Sequence, residues 1–232
     1  MMKAFRLQRI GLGNVNTYLL WRPGEALLVD CGNPGSEKKI LKAMKALGLD
    51  PRMLKILVLT HAHFDHAGSA ARLKDICHCE VVVHALEADR LRAGRTPFPA
   101  GTRWKARVLV SLGRLFARPM MRYPACEPDR ILQGEVDLQD EGLPVRVIPA
   151  PGHTPGSQLV LTAEGDLISG DSFFGLENKL HFPPFAEDAG RLLDSWKEIR
   201  DLDAHTIHPA HGHAFPFQDF LKEYPAALKR YR

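Results

Sequence analysis

Ile56-Leu57-Val58-Leu59 is an unbroken apolar run that ends at Thr60-His61. A run this short, with no polar face, is the pattern of a strand covered on both sides. Such strands belong to sheets flanked by helices. Val81-Val82-Val83 repeats the pattern. Before them, Phe5–Ile10 alternates, Thr17–Trp21 follows a Gly/Asn turn, and Pro23-Gly24 leads into Ala26–Asp30, which predicts three strands. Between Asp30 and Ile56, Ser36 is expected to cap a helix that carries Ile40, Leu41, Met44 and Leu47 on one face and stops at Gly48. A second helix fits Ser69 to Ile76. Later strands are expected at Val145–Ile148, Gln158–Leu161, Leu167–Ser169 and Thr206-Ile207, with helices at Arg191–Arg200 and around Phe217–Lys229. Hairpins and crossovers are mixed in both halves, so the expected class is an α/β sandwich rather than a helical bundle.

With 232 residues, 45% hydrophobic and 25% charged, the chain can bury a core, and a wholly disordered chain is excluded. No apolar run approaches the roughly 20 residues that cross a bilayer, and Met1–Gly11 lacks the apolar stretch of a secretory signal. Four cysteines in a chain this long make no disulfide framework, so the simplest reading is a soluble, cytoplasmic protein. The expected organisation is one domain over residues 1–232, with an insertion at about 88–130.

The chemistry gathers at His61-Ala62-His63-Phe64-Asp65-His66, directly after the apolar strand. Ligands collect at the carboxyl ends of strands in α/β sheets, and imidazole and carboxylate are first-choice donors for Zn²⁺ and similar ions. In an extended loop His61 and His63 point one way, leaving Asp65 and His66 for a neighbouring ion. A six-residue stretch cannot fill two coordination shells, so partners are expected elsewhere. His153 sits between two Pro-Gly pairs on a stiff turn, Asp171 follows the strand Leu167–Ser169, and His211 follows Thr206-Ile207. Cys77-His78-Cys79 lacks the second cysteine pair of a tetrahedral site and reads as a buried corner.

These motifs, in this order, resemble the metallo-β-lactamase superfamily of metal-dependent hydrolases. His61-x-His63-x-Asp65-His66 matches the family signature, and the likeness runs from Asp30-Cys31-Gly32 to His211-Gly212, with Arg90–Arg130 unmatched. The resemblance implies an αβ/βα four-layer sandwich. It also implies that His61, His63 and His153 hold one metal, that Asp65, His66 and His211 hold a second, and that Asp171 bridges them. The cofactors would be two zinc ions, or manganese or iron. A metal-bridging hydroxide would attack an ester, thioester or lactone carbonyl, with Asp65 taking or passing a proton. Thr154 and Asp30 are candidates to orient the imidazoles. Two other readings stand beside this one: a mononuclear iron enzyme similar to persulfide dioxygenases, and a non-catalytic scaffold. Ser172–Glu177 departs from what glyoxalase II relatives carry after the bridging aspartate. His61 to Gly68 is worded as in acyl-homoserine lactonases, whose substrate-side tyrosine has no counterpart here. Phe173, Phe174, His181 and His208 are candidates for the substrate pocket or for packing.

Between Arg90 and Arg122 lie nine basic residues and no acid, which leaves the rest of the chain acidic. Residues 103–117 read as an amphipathic helix with Arg103, Arg107, Arg114 and Arg118 on one stripe and Trp104, Val108, Leu112, Leu115 and Phe116 opposite. It fits a cap over the sandwich, a cap whose arginines draw an anionic small-molecule substrate, or a membrane-surface helix over 103–118. Its apolar face also suits a dimer contact. Nucleic-acid binding is disfavoured by the modest net charge of +4 and the lack of an aromatic-interleaved motif.

Overall fold

The computed structural model describes residues 5–97, 101–102, 121–176 and 181–231. The amphipathic helix read from 103–117, and with it the cap and membrane readings, lies outside the described residues. Contacts divide the chain into two compact units, Met1–Thr96 with Arg122–Gln133 and Pro97–Met121 with Gly134–Arg232.

The first unit is built on a six-stranded sheet in sequential order, β1 (Arg6–Gly11), β2 (Asn16–Arg22), β3 (Glu25–Val29), β4 (Leu54–Val58), β5 (Glu80–His84) and β6 (Arg130–Leu132). The first three strands are antiparallel and the rest join in parallel. The expected burial holds: Leu57, Val58, Val81, Val82 and Val83 are completely inaccessible. Parallel pairing needs crossovers, and three helices supply them: α1 (Glu37–Ala46) before β4, α3 (Ala70–Cys77) before β5, and α4 (Ala85–Ala93) after it. A one-turn helix, α2 (Phe64–Ala67), precedes α3.

One expected cap is not made. Ser36 precedes α1 in a helical conformation and its hydroxyl caps nothing. Instead the Glu37 N–H donates to Ser69 Oγ at 3.2 Å, and the one hydroxyl hydrogen of Ser69 is shared between the Asn33 carbonyl at 2.7 Å and Glu37 Oε2 at 3.0 Å. A serine some thirty residues away in sequence thus closes the helix start.

The second unit holds the other sheet, in the order β12 (Phe215–Pro216), β11 (Thr206–Gly212), β10 (Asp166–Gly175), β9 (Gln158–Thr162), β8 (Val145–Pro149) and β7 (Val136–Asp137). In it β10 and β11 run parallel and the other neighbours antiparallel; the parallel crossover is α5 (Ala189–Ile199). A final helix, α6 (Phe217–Tyr231), closes the chain. Trp196 on α5 is the centre of this core. It stacks on Phe173 at 4.6 Å, meets Phe182 and Phe220 edge-on, and its indole N–H donates to the Ser172 carbonyl at 2.9 Å. Trp196→Ala is expected to cost about 3–5 kcal/mol, read as the shift in a urea unfolding midpoint; a change under about 1 kcal/mol would mean that this cluster does not carry the unit's stability.

Two strands are longer than their sequences suggest. Gly170-Asp171 reads as a strand end, yet β10 continues to Gly175 with register shifts on both sides of the Gly170 pairing, where Gly170 has φ +50°. A bulge lets a strand absorb an irregular residue and re-aim the next side chain. Likewise β11 passes through Pro209, which sits opposite that bulge, and so runs on to His211 rather than stopping before it. Among the described residues no helix is long and apolar enough to cross a membrane.

Candidate metal centre

The metal-ligand candidates fall in both units. In the first, β4 delivers the chain to Thr60, and His61, His63 and His66 follow, all buried. Their rings lie together, His61 4.4 Å from His63 and 4.0 Å from His66 between centroids. The loop is not extended throughout: Asp65 and His66 ride on the turn of α2, and Asp65 Oδ1 lies 3.9 Å from His66 Nε2.

Asp30 organises this half. It stands at the end of β3 with φ +61°, a left-handed conformation that aspartate tolerates better than most residues. Its Oδ1 accepts the Thr60 N–H at 2.8 Å, and its Oδ2 accepts the Thr60 hydroxyl and His66 Nδ1, each at 2.8 Å. With its proton given to Asp30, the Thr60 hydroxyl can only accept from His61 Nδ1, 3.1 Å away. Both imidazoles therefore carry a proton on Nδ1, which leaves Nε2 as the nitrogen that the neutral ring can offer to a metal.

In the second unit His153 lies on the tight turn between β8 and β9. Gly152 adopts φ +137°, and a Cβ there would run into the Leu192 backbone, so this turn requires glycine. The turn is tied to α5 through Ser195, whose hydroxyl donates to the Pro151 carbonyl at 2.7 Å. His153 Nδ1 donates to the Phe185 carbonyl at 3.0 Å, again leaving the lone pair on Nε2. Thr154, an expected orienting residue, pairs its hydroxyl with Ser157 instead. Phe185 acts through its backbone, which no sequence motif announces.

Asp171 occupies the bulged part of β10 and is buried, and its two oxygens are shared out: Oδ2 lies 3.4 Å from His153 Nε2, and Oδ1 3.3 Å from His211 Nε2. With Nδ1–H committed to Phe185, the neutral ring that a metal requires would turn an acceptor nitrogen toward an acceptor oxygen. A cation between the two makes that contact favourable. Asp171, His153 and His211 thus have the donor chemistry and orientation of a metal site, as do the imidazoles of the first unit. His211 is further held by Phe174, whose ring stacks on it at 4.8 Å. Next to it, Gly212 at φ +94° has no room for a Cβ against the Gly175 carbonyl.

The remaining candidates take varied places. Phe173 is fully buried against Trp196. His181 Nδ1 pairs with Glu223 at 2.9 Å and its ring stacks on Phe215. His208 Nε2 lies 2.7 Å from Asp166 Oδ1. Cys77 and Cys79 are buried beside the left-handed His78. Burial is the main cause that pushes their thiols up, to about 11 and about 12, so both stay protonated near neutral pH. His84, buried at the start of α4, has its pKa lowered by desolvation, against an opposing pull from Glu87, and its Nδ1 accepts the Leu86 N–H.

Comparison with known proteins agrees with this chemistry. The model of the metallo-beta-lactamase superfamily matches residues 10–211. A hydroxyacylglutathione hydrolase of Anaeromyxobacter dehalogenans is 32% identical over 216 residues, 91% of this chain, and the chain spans 66% of that relative's length. A probable metallo-hydrolase, YflN, of Bacillus subtilis is 27% identical over 85% of this chain and 80% of its own. Among solved structures, the BLEG-1 B3 metallo-beta-lactamase superposes with a TM-score of 0.71 at 25% identity, covering 96% of this chain and 99% of that one. The two sheets with their helices are the metallo-β-lactamase fold. The chain belongs to the metallo-β-lactamase superfamily. The relatives just named carry the descriptions hydrolase and metallo-hydrolase.

Proposed function

We propose that the chain is a binuclear zinc hydrolase that cleaves an ester, thioester or lactone of a small molecule. His61, His63 and His153 would hold one ion, and Asp65, His66 and His211 the other, with Asp171 shared between them and residues 1–232 working as one catalytic domain. The observation that carries this reading is the division of the two Asp171 oxygens between two imidazoles, 3.4 Å and 3.3 Å away. One carboxylate facing two separate nitrogen donors is what a bridging ligand requires. Bound there, the metals supply a water acidified toward neutral pH and a Lewis acid for the attacked oxygen.

The protein's own residues do the rest. Asp30 and the Phe185 carbonyl hold His66 and His153 in the tautomer that presents Nε2, so no proton has to move before a ligand bond forms. Asp65, only half-buried, can take a proton from the attacking water and return it to the leaving group. The relative named hydroxyacylglutathione hydrolase supports the thioester within the substrate class.

Elemental analysis of protein purified without chelator tests the proposal. Two zinc or manganese ions per chain are expected. One iron per chain would replace this reading with the mononuclear oxygenase, and no metal after incubation with excess zinc would overturn it.

A further inference from the structure

Ala62, the residue between His61 and His63, is held at both of its peptide groups by buried side chains from outside the loop. Its N–H donates to Glu87 Oε2 at 3.0 Å. Its carbonyl accepts the Tyr123 hydroxyl at 2.8 Å and, at 3.4 Å, the Thr96 hydroxyl. Glu87, in the first turn of α4, is wholly inaccessible, and Tyr123 is 7% exposed. Taking a carboxylate fully out of water is costly unless its bonds compensate. The compensations for Glu87 include the Ala62 N–H and Arg90, whose Nη1 is 3.6 Å from Oε1. Burial raises the Tyr123 phenol far above its ordinary value, so the hydroxyl remains a donor.

The two anchored peptide planes are those that join His61 to His63. Their orientation sets the backbone dihedrals at Ala62 and thereby the directions in which the flanking side chains leave the chain. The two rings stand 74° apart, and the backbone between them is held from α4 on one side and from Tyr123 on the other. Tyr123 is itself well held: its N–H donates to the Gly94 carbonyl, and the neighbouring Arg122 bridges to Arg95. Both flanks of the stretch 97–121 therefore reach the Ala62 carbonyl, Thr96 before it and Tyr123 after it.

We propose that Glu87 and Tyr123 are positioning residues for the His61 and His63 ligand pair, acting through the backbone of Ala62 and touching neither metal nor substrate. The inference rests on the metal-ligand reading of those histidines. Its test uses the full chain stripped of metal and titrated with zinc against a chromogenic chelator, then with cobalt(II) as a probe of ligand geometry. Tyr123→Phe, which deletes one hydroxyl, and Glu87→Ala are expected to weaken zinc binding about 10–100-fold and to change the cobalt absorption bands. Glu87→Gln, whose amide oxygen still accepts the Ala62 N–H, is expected to restore the parent spectrum. A purely structural role would lower the melting temperature and leave the spectrum alone. Parent-like zinc affinity and an unchanged spectrum in Tyr123→Phe and Glu87→Ala would overturn the proposal. Failure of the parent chain to bind either metal would instead overturn the metal-ligand reading itself. If Glu87→Ala does not fold, Tyr123→Phe decides alone, because it keeps the buried ring.

Discussion

Asp65→Ala is expected to give a folded protein whose hydrolysis of ester, thioester or lactone substrates is slower by about 10²–10⁴-fold, the range that a positioned acid–base group contributes. The fold should survive because Asp65 is only partly buried and lies on a helix of four residues, α2, outside both sheets. Little packing is lost with its carboxylate. The chemistry should not survive, because Asp65 has two parts in the proposed site, as a ligand and as the group that moves a proton. Asp65→Asn separates them. An amide oxygen can still coordinate, so metal content should fall less than in the alanine variant, while turnover should remain at the alanine level. The measurements are initial rates on the substrate class that the parent cleaves, metal per chain, and the melting temperature. Parent-like turnover in both variants would remove Asp65 from the mechanism, whereas a parent chain that binds metal and turns over none of these substrates would favour the scaffold reading.

Much of this site is legible in the amino-acid sequence, for a definite reason. The apolar run of β4 has a single explanation in a sheet, and histidines at the end of such a strand are at the place where α/β sheets bind ligands. The turn around His153 is equally legible, because Pro151 and Pro155 restrict the backbone while Gly152 and Gly156 admit the conformations a turn needs. What escapes is whatever depends on tertiary partners. Gly170-Asp171 and Pro209 look like strand ends, yet both strands continue, because β10 is bulged where Gly170 pairs with Pro209. β6 and β7 span three and two residues and carry no period. α4 hides because its buried face includes Glu87, a charged residue that sequence patterning places in water. Contacts made by a backbone carbonyl, such as that of Phe185, leave no mark on the residue that makes them.

Asp30 illustrates the last point in reverse, since its identity is demanded by geometry at which the sequence only hints. Three hydrogen atoms point at its carboxylate: the Thr60 N–H, the Thr60 hydroxyl and His66 Nδ1–H. Asp30→Ala leaves the buried Thr60 N–H and His66 Nδ1–H without acceptors, at about 1–3 kcal/mol each. It also places alanine at φ +61°, a conformation costing about 1–2 kcal/mol for a residue with no local hydrogen bond to offset it. The loss is a large part of the roughly 5–15 kcal/mol that holds a domain together, so this variant is expected to melt well below the parent or to fail to accumulate. Asp30→Asn separates stability from metal binding. Its amide has one acceptor, and either orientation sets an N–H against Thr60 N–H or against His66 Nδ1–H. The second clash is relieved if His66 moves its proton to Nε2, which removes the lone pair needed for a metal. Asparagine is also at ease in the left-handed region. Asp30→Asn is therefore expected to stay folded and to lose metal affinity about 10–100-fold, read by zinc titration of the stripped protein. If it binds zinc like the parent at both sites, the carboxylate does not set the His66 tautomer, and the protonation scheme of the first unit is wrong.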